Sequence, residues 1–272
     1  MFGAIMTSIF DEYKKQSDPE KRKKAETWGI AIGLQQVDSL TPSEYLINLA
    51  KDNIEGKISI DETNALVRQY YKNNPTKAQQ EADEVSARIT KMLSTHTFSF
   101  SPAELISIHK AIFTDILDKG IAGKIRPYDI TKNEAILNGD TVIYGRADSI
   151  KETLEYDFSQ EKKFNYKGIT KREKIKQLEK FISGIWQIHP FGEGNTRTIA
   201  VFAIKYFYSL GLEINGSIFE NHAKYFRNAL VRANYQNMGK EVFYTFEYLN
   251  KFFGNLLLGE DNLLDNREMH LL

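Results

Sequence analysis

A proline and two glycines interrupt two strongly apolar helical segments between residues 189 and 194. The first segment carries an apolar stripe at helical spacing, formed by Ile175, Leu178, Ile182 and Ile185. His189 lies fourteen residues after Ile175 and continues this stripe. The helix ends there, because the ring of Pro190 blocks a further turn. The chain therefore has a histidine at the end of one buried helix, close to the start of the next.

Helical periodicity dominates the rest of the chain. The pattern predicts helices over residues 102–117, 172–188, 196–210, 220–235 and 242–258, with Gly211 as a C-cap. Ser101 followed by Pro102 is typical of a helix start. In the first third of the chain, Thr41 ahead of Pro42 predicts another start, and Ser59 with Glu62 resembles a capping box.

One stretch reads as β-structure. Asn138-Gly139-Asp140 separates two β-prone runs, 135–137 and 141–144, and Asn-Gly in that context predicts a hairpin turn. Asn73-Asn74-Pro75 is the clearest break before it and predicts a domain boundary. We therefore expect an all-α fold with a single β-hairpin. A small helical N-terminal domain (1–74) is expected to precede a larger domain (75–272).

Composition excludes several classes of protein. Acidic and basic residues number 36 each, so no net charge draws in nucleic acid or another polyanion. The chain has no cysteine, which excludes disulfides and thiolate metal sites. The apolar N-terminal run, residues 1–10, lacks a basic start and is a poor signal peptide. The longest apolar run is too short to cross a bilayer. A soluble cytoplasmic protein is expected, with no membrane or nucleic-acid partner; association into a homo-oligomer is left open.

The loop between the two apolar helices combines three chemical parts. His189 is a candidate general base. Gly192, Gly194 and the helix start that follows direct N–H groups towards one point, and an anion bound there would also meet Arg197. Glu193 supplies a hard oxygen ligand of the kind that Mg²⁺ shares with phosphates. Phosphoryl or nucleotidyl transfer requires these three parts.

Each residue alone has an ordinary structural explanation. A histidine at a helix end is commonly a capped or core residue, and a glutamate in a glycine loop is commonly solvated. Thr196 and Arg197 are ordinary residues for the first turn of a helix. The joint spacing is what favours a functional site.

That spacing, His189-Pro-Phe-Gly-Glu193-Gly-Asn195-Thr-Arg197, resembles the signature H-x-F-x-(D/E)-G-N-x-R of the Fic family. Gly123-Lys124-Ile125-Arg126 resembles the segment that precedes the family's flap. The predicted hairpin resembles the flap itself, and Ala233-Asn234 resembles a pair that lies near the nucleotide base. The resemblance covers residues 95–255 and implies a Fic-type helical fold.

The resemblance also implies a reaction, protein adenylylation. His189 would take the proton from a Ser, Thr or Tyr hydroxyl of a target protein, which then attacks the α-phosphate of ATP. Glu193 would hold Mg²⁺, and Phe191 would anchor the loop. The resemblance further assigns two sets of binding residues. The nucleotide would contact Gly192, Gly194, Asn195, Thr196, Arg197 and Asn234. The flap would dock the target through Leu137, Asn138, Gly139, Asp140, Thr141 and Val142.

The sequence departs from the family at two positions of the second helix. Thr196 stands where glycine is common; it costs little in a helical conformation and about 1–2 kcal/mol in a left-handed one. Ala200 stands where many members have a second arginine, so a charged contact to the γ-phosphate is missing. A slower reaction and a donor other than ATP both follow as alternatives.

Residues 24–72 resemble a second module, the VbhA-type antitoxin that inhibits some Fic proteins. In that module a glutamate pairs with the second arginine. The equivalent position here is Asp38, its expected partner is Ala200, and the module's serine and glycine fall on Leu34 and Ser39. We expect the N-terminal region to pack on the Fic core and to restrain it weakly or through another contact. A purely structural helical cap is the alternative.

Three hypotheses remain at this stage. The chain is a protein adenylyltransferase, a Fic-fold transferase that uses another nucleotide or phosphate-containing donor, or a nucleotide-binding or interaction module without catalysis. The intact His189 favours the first two.

Overall fold

The computed structural model describes residues 9–74, 76–117 and 120–271. Residues 1–8, most of the run judged a poor signal peptide, lie outside the described residues, as does Pro75 of the predicted boundary. The described residues form eleven α-helices and no β-strand, so the expected all-α architecture is confirmed. The helices are α1 (Asp11–Lys14), α2 (Pro19–Gly33), α3 (Glu44–Ile54), α4 (Ile60–Asn73), α5 (Lys77–Leu93), α6 (Pro102–Phe113), α7 (Ile150–Lys163), α8 (Lys171–Ile188), α9 (Asn195–Ser209), α10 (Gly216–Asn234) and α11 (Glu247–Leu258).

Local signals in the sequence account for several helix boundaries. The Ser101 hydroxyl accepts from the Glu104 N–H ahead of Pro102, and Ser59 with Glu62 forms the predicted capping box. The predicted start at Thr41 is wrong by two residues, because Ser43 caps α3 instead. Asp83 on α5 fixes this choice, since its carboxylate accepts from both the N–H and the hydroxyl of Ser43.

Helix α9 lies at the centre of the molecule. Every residue from Asn195 to Phe207 is buried, so this helix packs on all sides rather than on one face. It is surrounded by α5, α6, α8 and the 3₁₀ turn Leu34–Asp38 that follows α2. This packing brings the loop before α9 close to the N-terminal part of the chain.

Helix α2 links two hydrophobic clusters. Trp28 belongs to a small cluster with α1, α3 and α4, whereas Ile30 and Leu34 belong to the large cluster around α9. Gly33 lies directly against α10, because a Cβ there would approach the Glu220 Cα to 2.4 Å. The N-terminal helices therefore pack closely on the rest of the fold, and the division at residue 74 stays a prediction.

The predicted β-hairpin is wrong, although its turn chemistry is right. Asn138 and Gly139 both have positive φ, as an Asn-Gly turn requires. The residues before them form a 3₁₀ turn, Ala135–Leu137, in which Ile136 and Leu137 are both buried. Successive residues of a strand point to opposite faces, so two adjacent buried side chains favour the tight turn instead. After the turn, residues 141–144 have no regular secondary structure, and Ile143 is exposed between buried Val142 and Tyr144.

None of the helices between residues 9 and 271 that the structure describes is long and apolar enough to cross a membrane.

Candidate active site

His189 caps the C-terminus of α8 in a left-handed conformation, with φ of 51°. Its ring is buried, and Nδ1 lies 3.1 Å from the Trp186 carbonyl oxygen, so we assign the proton to Nδ1. Nε2 is then a bare acceptor, and it has no hydrogen-bond partner among the described residues. Burial, assisted by the charge of Lys132 and opposed by the Trp186 carbonyl, holds the pKa of His189 well below its ordinary value. The ring is therefore neutral at pH 7, the form that a general base requires.

Arg126 fixes the backbone of His189. Its buried guanidinium donates to the carbonyl oxygens of His189, Ile188, Tyr128 and Gly145. The backbone N–H of Arg126 donates to the carbonyl of Pro190. One side chain thus ties the end of α8 to the segments before and after the Asn138–Gly139 turn. The resemblance covered Arg126 but gave it no role.

Asn195 and Phe191 shape the loop from inside. The Asn195 amide accepts from the Phe191 N–H at 3.0 Å and donates to the Phe191 carbonyl at 2.7 Å. Phe191 is fully buried, as expected of an anchor. The side chain of Asn195, predicted to contact the nucleotide, is thus committed to bracing the loop.

His109 on α6 packs against the catalytic loop, a role that the sequence did not predict. Its ring stacks on Phe191 with centroids 3.8 Å apart. The Gly123 N–H donates to Nδ1, so Nε2 carries the proton and donates to the Glu193 carbonyl at 3.0 Å. Burial, partly opposed by the Glu193 carbonyl, lowers the pKa of His109 to about 4. A lone histidine outside the motif gave no signal of this contact.

The start of α9 is closely packed around Gly194 and Thr196. Gly194 has φ of 71°, and a Cβ there would lie 2.4 Å from the Phe113 ring. Thr196 is already helical, so its replacement of glycine costs little. Its hydroxyl accepts from the Trp186 indole N–H at 2.9 Å. The first N–H groups of α9 have no partner within the helix.

Arg197 is tied to the N-terminal part of the chain. Its guanidinium donates to Gln35 Oε1 at 3.1 Å and to Glu81 Oε1 at 2.6 Å. Nε lies 2.8 Å from Asp38 Oδ2, an ion pair rather than an aligned hydrogen bond. The guanidinium also lies over the Phe113 ring, at 4.8 Å from the centroid. Asp38 therefore meets the motif arginine itself, whereas Ala200, the expected location of its partner, is buried in the core.

Two further cations border the site. A small cavity of about 30 Å³ is lined by His189 and Thr196 together with Asp38, Lys132 and Arg227. Burial, and secondly the charge of Arg227, lowers the pKa of Lys132. Arg227 is held by the buried Glu134 through an ion pair of 2.8 Å. The cavity holds about one water molecule, so a phosphate enters only if its lining moves.

The remaining predicted residues lie outside this cavity. Asn234 lines a separate groove of about 1030 Å³ and donates to the Ser183 hydroxyl at 2.9 Å. Among the predicted flap residues, Leu137 and Val142 are buried, and Asn138 and Gly139 are exposed. Asp140 accepts from the Tyr235 hydroxyl at 2.7 Å and so ties the turn to the segment after α10. Thr141 and Ile143 line the same groove as Asn234.

The fit of the site to Mg²⁺ rests on one carboxylate. Glu193 is exposed and lies two residues before the start of α9. No cluster of three metal-ligating side chains occurs in the part of the chain that the structure describes. Mg²⁺ commonly takes one or two carboxylates and completes its shell with phosphate and water oxygens, and a single Glu193 fits that habit.

Comparison with known proteins identifies the domain. Residues 99–207 match the Fic/DOC family, and this stretch contains the whole loop from His189 to Arg197. These residues form a Fic/DOC family domain. Fic domains belong to a family of protein nucleotidyl- and phosphotransferases, which generally use a nucleotide, Mg²⁺ and a protein target.

A solved structure shows the same fold. The N-terminal FIC domain of Bep8, a VirB-translocated effector protein from Bartonella sp. 1-1C, is 18% identical, with a TM-score of 0.51. The alignment covers 68% of this chain and 88% of that one. No curated protein matches the chain. The family match begins at residue 99, so the resemblance of residues 24–72 to a VbhA-type antitoxin stays a prediction.

Proposed function

We propose that the chain is a protein adenylyltransferase that moves AMP from ATP to a Ser, Thr or Tyr hydroxyl of a target protein. The observation that carries this proposal is the buried, neutral His189, whose Nε2 has no partner and borders the same cavity as Thr196, Lys132 and Arg227. A base thus lies beside a concentration of positive charge at a helix N-terminus, where a phosphate is stabilised.

The proposed reaction is one proton transfer and one displacement at the α-phosphorus of ATP. The hydroxyl proton of the target passes to Nε2 of His189, and the hydroxyl oxygen bonds to the α-phosphorus of ATP. The bond from that phosphorus to the bridging oxygen breaks, and pyrophosphate leaves. Lys132, Arg227 and the N–H groups at the start of α9 stabilise the negative charge on the phosphoryl oxygens. Mg²⁺, held by Glu193, would neutralise charge on the α- and β-phosphates.

The N-terminal residues restrain this activity in our proposal. Gln35, Asp38 and Glu81 together occupy Arg197, and the cavity beside it is too small for a phosphate. Ser39, where the antitoxin module has glycine, adopts a left-handed conformation with φ of 58°, which supports the likeness of this turn to that module. Loss of the Asp38 pair would remove one of the three contacts that hold Arg197 away from the phosphates and so would weaken the restraint.

A second donor class follows from Ala200. This residue is fully buried, so the second helix of the motif offers no further cation to a γ-phosphate. A nucleotide or other donor that lacks the γ-phosphate would lose nothing at this position. The intact His189 argues against a module that only binds.

Radiolabelled donors test the proposal. The full chain, its His189→Ala variant and its Asp38→Ala variant are incubated with ATP carrying the label on the α- or the γ-phosphate, and labelled protein is measured. We expect α-label only, abolished in His189→Ala. Transfer of γ-label would indicate phosphorylation instead, and label from another nucleotide would favour the second donor class. Label that persists in His189→Ala would exclude the histidine as base.

A further inference from the structure

Glu134 is a buried carboxylate that contacts Arg227, one of the cations that line the cavity beside His189. Its side chain is only 2% exposed, and both of its oxygens meet the guanidinium. Arg227 Nη1 lies 2.8 Å from Oε2, and Nη2 donates to Oε1 at 3.0 Å. Two parallel contacts of this kind fix the plane of the guanidinium, whereas a single contact would leave it free to rotate.

The backbone of Glu134 closes the turn that the sequence predicts as the target-docking segment. Its N–H donates to the Asp140 carbonyl at 2.9 Å, and its carbonyl accepts from the N–H groups of Leu137 and Gly139, each at 3.0 Å. The same residue thus closes the turn with its backbone and holds a cation of the cavity with its side chain. A displacement of the turn would therefore move the guanidinium as well.

Tyr144 connects the same carboxylate to the base. Its hydroxyl donates to Glu134 Oε1 at 3.3 Å, and its ring centroid lies 4.4 Å from that of His189. Burial, and secondly the charge of Glu134, raises the pKa of Tyr144, so the hydroxyl stays protonated and can donate. The Glu134 carboxylate therefore contacts a neighbour of the base as well as a cation of the cavity.

Stability alone does not account for the charge of Glu134. The cost of taking a carboxylate and a guanidinium out of water offsets most of their attraction, and apolar residues can often replace such a pair without loss of stability. The negative charge also opposes the attraction between Arg227 and a phosphate. What the pair supplies is a fixed position for the guanidinium, and a donor that is already in position stabilises developing charge without having to reorganise.

We propose that Glu134 is a positioning residue, which holds the Arg227 guanidinium at the cavity and fixes it relative to the turn that docks the target. The inference rests on the proposed function, because that function brings a phosphate to Arg227 and a target to the turn. Glu134 then weakens the binding of the donor but speeds the transfer, a combination that a purely structural residue would not produce.

Calorimetry and labelling test the two effects separately. Each Glu134 variant is made in the full chain, as wild type and with Asp38→Ala. Binding of ATP and of inorganic triphosphate is measured, together with transfer from α-labelled ATP at saturation, per folded molecule. Glu134→Gln removes the charge, so both triphosphates should bind about threefold more tightly, while transfer falls about tenfold. Glu134→Asp keeps the charge on a shorter side chain, so affinity should stay within about twofold while transfer again falls about tenfold.

A double variant shows whether Glu134 acts through Arg227. Arg227→Gln should slow transfer, and the addition of Glu134→Gln should then change the rate by less than about twofold. Losses that multiply in the double variant would overturn the positioning role. Unchanged transfer in both single Glu134 variants would overturn it too.

The controls separate this inference from the proposed function. Glu84→Gln neutralises another buried glutamate, which pairs with Arg88 away from the cavity, and it should leave affinities and rates per folded molecule unchanged. Equal losses of affinity and rate in Glu134→Gln would overturn the inference alone. Failure of the chain to bind either triphosphate and to transfer label, even with Asp38→Ala, would overturn the proposed function and this inference with it.

Discussion

The two halves of the catalytic loop are held by different parts of the chain. The front half, at His189 and Phe191, is braced by Arg126 and His109 of the Fic domain itself. The back half, at Arg197, is tied to Gln35 and Asp38 after α2 and to Glu81 on α5, all of which lie before residue 99, where the family match begins. The geometry of the base therefore depends on contacts within the Fic domain, whereas in our proposal access to Arg197 depends on residues before it.

Breaking the front half should have the largest effect. Arg126→Ala leaves several buried carbonyls without a donor and frees the strained backbone of His189. We expect a loss of about 3 kcal/mol or more in the free energy of unfolding and at least about a hundredfold loss of nucleotide transfer. Urea denaturation and the labelling assay measure the two. Arg146→Ala, which removes an exposed arginine paired with Asp148, is the matched control. Wild-type transfer by Arg126→Ala would contradict the account.

Breaking the back half should raise activity. Asp38→Ala removes a half-exposed partner of Arg197, so we expect about tenfold more transfer and a change below about 1 kcal/mol in stability. Initial rates of labelling check this. Asp52→Ala removes a carboxylate of the same region that pairs with Lys57 instead, and it should leave the rate unchanged. Equal rates for Asp38→Ala and wild type would leave the N-terminal helices as a structural cap.

His109, which braces the front half of the loop, should make the stability of the protein depend on pH. The pKa of His109 falls to about 4 on folding, from about 6.5 in the unfolded chain. The unfolded state therefore binds more protons between these values, and stability is lost as pH falls from about 6.5 towards 4. Across this pH range, the unfolding temperature should change less steeply with pH in His109→Gln than in wild type. An unchanged slope would mean that His109 does not contribute.

The pH dependence of stability that Glu179 contributes should be the smallest of these effects. Its sign is opposite to that of the contribution from His109. Its pKa rises to about 8 on folding, so stability is lost as pH increases from about 4.5 through 8. Glu179→Gln cannot ionise and should unfold at a higher temperature than wild type at pH 8, with little difference at pH 5. Thermal unfolding at the two pH values checks this. A variant that is less stable than wild type at pH 8 would show that Glu179 is paired.

Features that depend on neighbouring residues in the chain could be predicted from the sequence, whereas features that depend on distant contacts could not. Helix starts at Ser59 and Ser101 depend on residues three positions away and were predicted correctly. The hairpin failed because burial of Ile136 and Leu137 depends on distant packing, including the bond from the Leu271 N–H to the Ile136 carbonyl.

The residues of the candidate site also divide into those that the sequence could predict and those that only the fold brings together. The motif from His189 to Arg197 was visible because its parts are adjacent in the chain. The Arg197–Gln35 bond spans 162 positions and had no local signal. Lys132, Arg227 and His109 were missed for the same reason, since only the fold brings them to the loop.

The most direct test compares nucleotide transfer by wild type, Asp38→Ala and the double variant Asp38→Ala/His189→Ala, with ATP labelled on the α-phosphate. The account predicts more labelled protein with Asp38→Ala than with wild type, and none with the double variant. Label in the double variant equal to that in Asp38→Ala would contradict the assignment of His189 as the base.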